Sequence, residues 1–320
     1  MRDRYPEIEP YASGRLAVGD EHAIHWETSG NPDGLPGLAI HGGPGSGSGP
    51  GLRRYFDPAR YRIVLWDQRG CGRSVPFAGE PVADLTANTT DHQLRDMERL
   101  REHLGIDRWL LFGGSWGCAL GLHYAETHPD RVAGIVMMGL ATGRRAETDL
   151  LTRGMGRIYP EAWARFRDHL RPGDRDGDLA AGYARLLAHP DPVVHRAAAD
   201  AWCAWEDALM PGVPGLIDEE TPGYRLAFAR IVTHYFAHGS WLDPDQVLRD
   251  AGRLRGIPGE LVQGTLDVNN LVGTPWLLER AWPDARLRLV DAAHELRSGE
   301  MVDGIVGAID RLADEGRWSG

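Results

Sequence analysis

The sequence predicts an α/β fold, a mostly parallel sheet whose strand–helix alternation is broken by a long helical insert. Three observations predict it. Short apolar runs alternate with helical patterns over residues 20–140, helical patterns without β-branched runs fill 143–255, and the alternation resumes at 260. Parallel strands need a crossover of a dozen or more residues, usually a helix, so a parallel sheet imposes this alternation on its chain. With 320 residues, 42% of them hydrophobic and 25% charged, the chain has the apolar content for a large core and does not resemble a disordered protein.

The elements follow in order. Apolar runs predict strands over 22–28, 38–41, 61–66, 109–112 and 132–138. Between the third and fourth, Leu94, Met97, Leu100 and Leu104 recur at helical spacing, predicting a helix over 90–104 with Thr90 or Asp91 as its cap. A helix over 118–127 follows the fourth strand. Within the insert, helical patterns run over 160–170, 178–188, 192–209 and 224–234. The last third then supplies a strand at 260–263, a helix at 274–282, a strand at 285–290 and a closing helix near 301–315. The expected domains are therefore a core of 1–142 with 256–320, and a helical cap of 143–255.

Charge and cysteine usage exclude several functions. The net charge of −11 argues against a nucleic-acid or anionic-membrane surface. All 35 basic residues are arginine, which excludes lysine Schiff-base chemistry, a P-loop lysine and a Ser–Lys dyad. Cys71, Cys118 and Cys203 lie far apart and lack CxxC spacing, so they read as reduced structural thiols. No apolar run approaches the roughly 18 residues of a membrane span. The N-terminal Met1-Arg2-Asp3-Arg4 has no apolar signal region, so the expected location is cytoplasmic.

The residues that carry chemistry lie at strand ends. Gly113-Gly114-Ser115-Trp116-Gly117 matches G-x-S-x-G between a predicted strand and a predicted helix, the context that makes such a serine a nucleophile. The plainer alternative is a glycine-rich turn with an incidental serine. His41-Gly42-Gly43-Pro44-Gly45 ends the strand at 38–41, and its backbone can approach a substrate oxygen. Gly43 N–H and Trp116 N–H are the expected oxyanion donors. In the order Ser, Asp, His, the partners are Asp267, on the loop after the strand at 260–263, and His294, just past the strand at 285–290. Asp291 is the rival acid.

HGGPGSGSGP, WDQRGCGRS (66–74) and FGGSWG (112–117) together resemble the proline iminopeptidase (prolyl aminopeptidase) family of α/β-hydrolase-fold enzymes. DMERLREHLGIDRW, RIYPEAW (157–163), AWCAWE (201–206) and FARIVTHYF (228–236) extend the resemblance over nearly the whole chain. The resemblance implies an α/β-hydrolase fold, a mostly parallel eight-stranded sheet with an inserted helical cap. In WDQRGCGRS it suggests scaffolding, with Asp67 and Arg69 tying down loops below the nucleophile.

It also implies a substrate amino group held by cap carboxylates. One lies in a W-x-x-W-E segment, retained here as Glu206; at the position of the second this chain has Val232. Ala141-Thr142-Gly143 and Leu150-Leu151 stand where the family places aromatic residues near the proline ring, and Val268-Asn269-Asn270 after the acid is unusual. An apolar side chain cannot balance a buried ammonium.

The expected enzyme is thus a serine hydrolase that cleaves an amide or ester bond of a small-molecule or short-peptide substrate, without cofactor or metal. Its specificity is expected to be altered at Val232. The alternatives are an amide or ester hydrolase or acyl transferase acting on a specialised metabolite, and a non-catalytic binding protein on the same scaffold.

Overall fold

A computed structural model describes residues 2–80, 83–210, 221–296 and 299–315. Eight strands form one sheet: β1 (Pro10–Gly19), β2 (His22–Gly30), β3 (Leu35–Ile40), β4 (Tyr61–Trp66), β5 (Trp109–Gly114), β6 (Val132–Met138), β7 (Gly259–Gly264) and β8 (Ala285–Val290). Their spatial order is β1-β2-β4-β3-β5-β6-β7-β8. The β1–β2 and β2–β4 pairs are antiparallel and all later pairs are parallel. Strands β5 to β7 are buried nearly throughout, as strands covered on both faces must be, and this makes them continuous apolar runs.

Strand β1 was not among the expected elements. It is an edge strand with a mostly exposed, weakly alternating pattern, PYASGRLAVG. It turns into β2 through Asp20 and Glu21, both at positive φ, in place of the usual Asn-Gly or Asp-Gly pair. The first core helix also starts differently from expectation. Thr89 occupies its N-cap without a side-chain cap bond, and its hydroxyl meets His92 Nδ1 at 2.8 Å instead.

Ten α-helices lie among the described residues, with short 3-10 turns between elements: α1 (Thr90–His103), α2 (Trp116–Thr127), α3 (Arg145–Thr152), α4 (Pro160–Asp168), α5 (Leu179–Leu187), α6 (Pro192–Leu209), α7 (Tyr224–Ala237), α8 (Gln246–Asp250), α9 (Gly273–Ala281) and α10 (Gly299–Asp314). One sheet face packs against α1, α2, α8 and α9 through Leu94, Met97, Leu120, Val247 and Leu278. The other packs against α10 through Met301, Ile305 and Ile309.

Between β6 and β7 the described chain holds only helices. Helices α4 to α7 share a separate apolar cluster built on Phe166, Tyr183, Trp202 and Trp205. Its rings stack closely, with Phe166 and Tyr183 centroids 4.7 Å apart and Phe166 and Trp205 at 5.3 Å. Helix α8 instead buries Val247 against the sheet-side core, although its sequence lies within the helical stretch.

Helix α7 joins the two layers. Its Ile231 and Tyr235 enter the sheet-side core, whereas Phe228 and Val232 enter the cluster of the insert. Polar bonds reinforce the junction: Tyr235 Oη donates to Asn88 at 3.0 Å, and the Arg230 guanidinium donates to the carbonyls of Ala78, Glu80 and Ala83.

Candidate active site

Ser115 sits at the junction of β5 and α2, with φ 55° and ψ −124°. This conformation is costly for a residue with a Cβ and persists where surrounding structure enforces it, as at strained functional turns. The glycines around it enforce it here. A Cβ on Gly113 would lie 2.6 Å from the Gly117 carbonyl oxygen, and one on Gly117 would collide with the Ile40 carbonyl. The turn therefore closes only with glycine at both places, and the serine hydroxyl is raised at the N-terminus of α2, where developing negative charge is favoured.

The loop after β3 lies against this turn: a Cβ on Gly42 would come within 3.2 Å of Ser115 Cβ. Gly43 lines the two cavities that meet at Ser115. Trp116, whose backbone N–H opens α2, lines the smaller one.

Asp267 and His294 come from the ends of β7 and β8 and meet directly, with Asp267 Oδ2 2.8 Å from His294 Nδ1. Asp267 is buried, and its carboxylate also accepts from Gln263 Nε2 at 3.1 Å and from the backbone N–H groups of Asn269 and Asn270 at 3.0 and 2.9 Å. Asp291 is exposed and does not take this place. Burial pulls the His294 imidazole down, but the Asp267 carboxylate, assisted by Glu206, outweighs it, and the net shift is upward. Gly139, at φ +53°, makes room for the ring: a Cβ there would stand 2.8 Å from His294 Nδ1.

Gln263 has no part in the sequence expectations, whereas Asn270, whose N–H meets Asp267, lies in the unusual Val268-Asn269-Asn270 stretch after the acid. Gln263 accepts from Leu140 N–H at 2.9 Å while donating to Asp267, so it ties the end of β6 to the acid. A glutamine four residues before the aspartate is the only sequence signal of it.

Ser115, His294 and Glu206 all line both cavities. The larger, of about 620 Å³, extends past Ser48, Phe77, Tyr224 and Phe228 to Arg73. The smaller, of about 70 Å³, is bounded by Ala141, Gly143, Leu151, Phe236 and Asn270. Glu206 accepts from Trp202 Nε1 at 3.1 Å, and burial pushes its carboxyl up to about 7.

Val232 does not reach either cavity. It is fully buried in the cluster of the insert, on the same face of α7 as Phe228 and Phe236, which line the larger and smaller cavity respectively. The site thus brings together Ser115, Asp267, His294, Gly43, Trp116 and Glu206, with Val232 one layer behind.

Among the described residues no group of three or more His, Cys, Asp or Glu could hold a metal ion, and no helix is long and apolar enough to cross a membrane. The three cysteines are free and buried, and burial raises all three thiols.

A sequence model of the alpha/beta hydrolase fold matches residues 38–296. A probable proline iminopeptidase of Streptomyces coelicolor is 53% identical over 317 residues, covering 98% of each chain. The proline iminopeptidase of Neisseria meningitidis serogroup B is 44% identical over 311 residues, covering 96% of this chain and 98% of its own. Among solved structures, the proline iminopeptidase of Mycobacterium smegmatis superposes with a TM-score of 0.60 at 18% identity, over 95% of this chain and 99% of its own. A putative acyltransferase of Salmonella enterica gives 0.64 at 16% identity, over 97% of both chains. At such identities the superpositions speak for the fold alone.

Proposed function

The chain belongs to the proline iminopeptidase family of α/β-hydrolase-fold enzymes and is a serine hydrolase; from that premise we propose that it cleaves an amide bond through Ser115, His294 and Asp267, releasing a small acyl group by way of an acyl-enzyme. The observation that carries this reading is the bond from buried Asp267 to His294, the imidazole that lines both cavities together with Ser115 and Glu206. His294 takes the Ser115 proton as Oγ attacks the carbonyl carbon. The N–H groups of Gly43 and Trp116 receive the oxyanion. The tetrahedral intermediate collapses as His294 protonates the leaving nitrogen. Water, deprotonated by the same imidazole, then releases the acid.

The two cavities divide the substrate. The smaller one holds the acyl residue and the larger one the leaving chain. Helices α3 to α7 act as the cap that closes the acyl side. Glu206 faces the substrate's amino end, and Val232 lends it no second charge. A free ammonium is then met by one carboxylate, itself largely protonated below about pH 7. Neutral or N-blocked acyl groups should therefore be accepted better than the family resemblance implies.

The test compares kcat/KM for free and N-blocked prolyl naphthylamides. Wild type should favour the blocked reporter, and the preference should shrink as pH rises through about 7 and Glu206 ionises. Val232→Glu, whose side chain reaches two bonds further from this layer than valine, should shift the ratio toward the free amine. Efficient wild-type cleavage of the free reporter, unchanged by Val232→Glu, would mean that Glu206 suffices and that Val232 only packs.

The histidine sets a second expectation. The base must be neutral to accept the serine proton, and its raised pKa moves the acid limb upward. Activity is complete above that pKa and is lost as pH falls through it, so half-maximal kcat/KM for the blocked reporter should lie above the ordinary histidine value of about 6.5. A profile flat from about pH 5 to 8, with chemistry rate-limiting, would remove His294 as the base.

A further inference from the structure

We propose that Gln68 is a positioning residue that holds the two oxyanion donors in register. The donors come from different strand ends, Gly43 from the loop after β3 and Trp116 from the turn after β5. The β3–β5 ladder stops at Ile40 and Gly113, short of both. Gln68 lies just beyond β4, is buried, and lines neither cavity. Its side chain spans the gap: Oε1 accepts from Trp116 Nε1–H at 3.1 Å, and Nε2 donates to the His41 carbonyl at 3.0 Å. The amide orientation is fixed by chemistry, because an indole N–H only donates and a carbonyl only accepts.

The backbone of Gln68 completes the device. Its N–H donates to His41 Nε2 at 3.1 Å, so the imidazole carries its proton on Nδ1, which then donates to the Gly42 carbonyl at 3.0 Å. Burial lowers the His41 pKa and keeps the ring neutral. In a planar trans peptide the carbonyl and the following N–H point in opposite directions, so anchoring Gly42 O sets the direction of Gly43 N–H. Gln68 thus reaches one donor through His41 and the other through the Trp116 ring, without touching substrate.

The inference rests on the Ser115 mechanism, and its test keeps the two separable. Gln68→Met, Gln68→Glu, Trp116→Phe and the Gln68→Met/Trp116→Phe double variant are made in the full chain. Active sites are counted by end-point fluorophosphonate labelling, with Ser115→Ala as the control. The expected loss for Gln68→Met is about tenfold to a hundredfold in kcat per active site, as for a weakened oxyanion donor, with KM nearly unchanged. Trp116→Phe should lose a similar amount, and the double variant much less than the product of the two, because both cut one link.

A protonated glutamic acid offers the same donor and acceptor as the glutamine. Burial at this position raises a carboxyl's pKa, so Gln68→Glu should retain more activity relative to wild type at the acid end of the profile and lose it as the carboxyl ionises, while wild type gains over that range. If Gln68→Met does not fold, the Gln68→Glu profile and Trp116→Phe decide. Losses confined to stability or to the count of active sites, losses that multiply in the double variant, or a pH-independent Gln68→Glu defect would each overturn the positioning role. Activity surviving in Ser115→Ala would overturn the mechanism beneath it.

Discussion

Replacing Ser115 with alanine is expected to remove at least about a thousandfold of kcat while leaving the fold in place, since binding and the oxyanion donors alone sustain only residual catalysis. The fold should survive because the serine side chain does not cap α2. The backbone strain at φ 55° is carried by the surrounding glycines, and alanine inherits it without a larger side chain. The measurement is kcat on an activated amide, with the thermal midpoint as control. Labelling by a fluorophosphonate should vanish in parallel, which also separates an enzyme from a binding protein on the same scaffold. An alanine variant within tenfold of wild type would displace Ser115 from the chemistry.

The place of Ser115 on its turn was legible because its constraint is local. A serine at positive φ between a strand and a helix needs small residues at fixed offsets, and those offsets are written in five consecutive letters. The meeting of Asp267 and His294 was legible for a related reason: function gathers at the carboxyl ends of parallel strands, and both residues fall just past predicted strands, at 260–263 and 285–290.

What escaped the sequence depends on which side of an element faces what. The position of Val232 in FARIVTHYF suggests a place in the pocket. Yet the residues that line the cavities are its neighbours one turn away, Phe228 and Phe236, and Val232 itself packs behind them. Helix α8 likewise lies inside the stretch read as cap, but its Val247 turns to the sheet. Strand β1 carries too few buried positions to stand out, because an edge strand exposes most of its residues. Within WDQRGCGRS the scaffolding expectation falls on Asp67 and Arg69, and nothing in the sequence singles out Gln68. Only the placement of His41 and Trp116 on either side of it gives it a purpose.

Asp267→Asn should cost kcat about a thousandfold to ten-thousandfold, against no more than about twofold for Asp291→Asn. The reason lies in the four donors around the carboxylate. Two backbone N–H groups, of Asn269 and Asn270, point at Oδ1, whereas the His294 ring and Gln263 Nε2 approach Oδ2. An asparagine has one accepting atom and one donating group, and the backbone donors cannot move. They claim the oxygen, which leaves the NH₂ facing His294 Nδ1. The imidazole must then surrender its Nδ1 proton and carry it on Nε2, the nitrogen that should accept from Ser115. Stabilisation of the imidazolium is lost in the same step, and the histidine pKa falls as the carboxylate that raised it disappears. Asp291, exposed at the end of β8, has no such place, and its loss should leave both tautomer and pKa untouched. Steady-state kcat for the two variants, with the acid limb of each profile, decides between them. A larger loss in Asp291→Asn would transfer the acid to that residue.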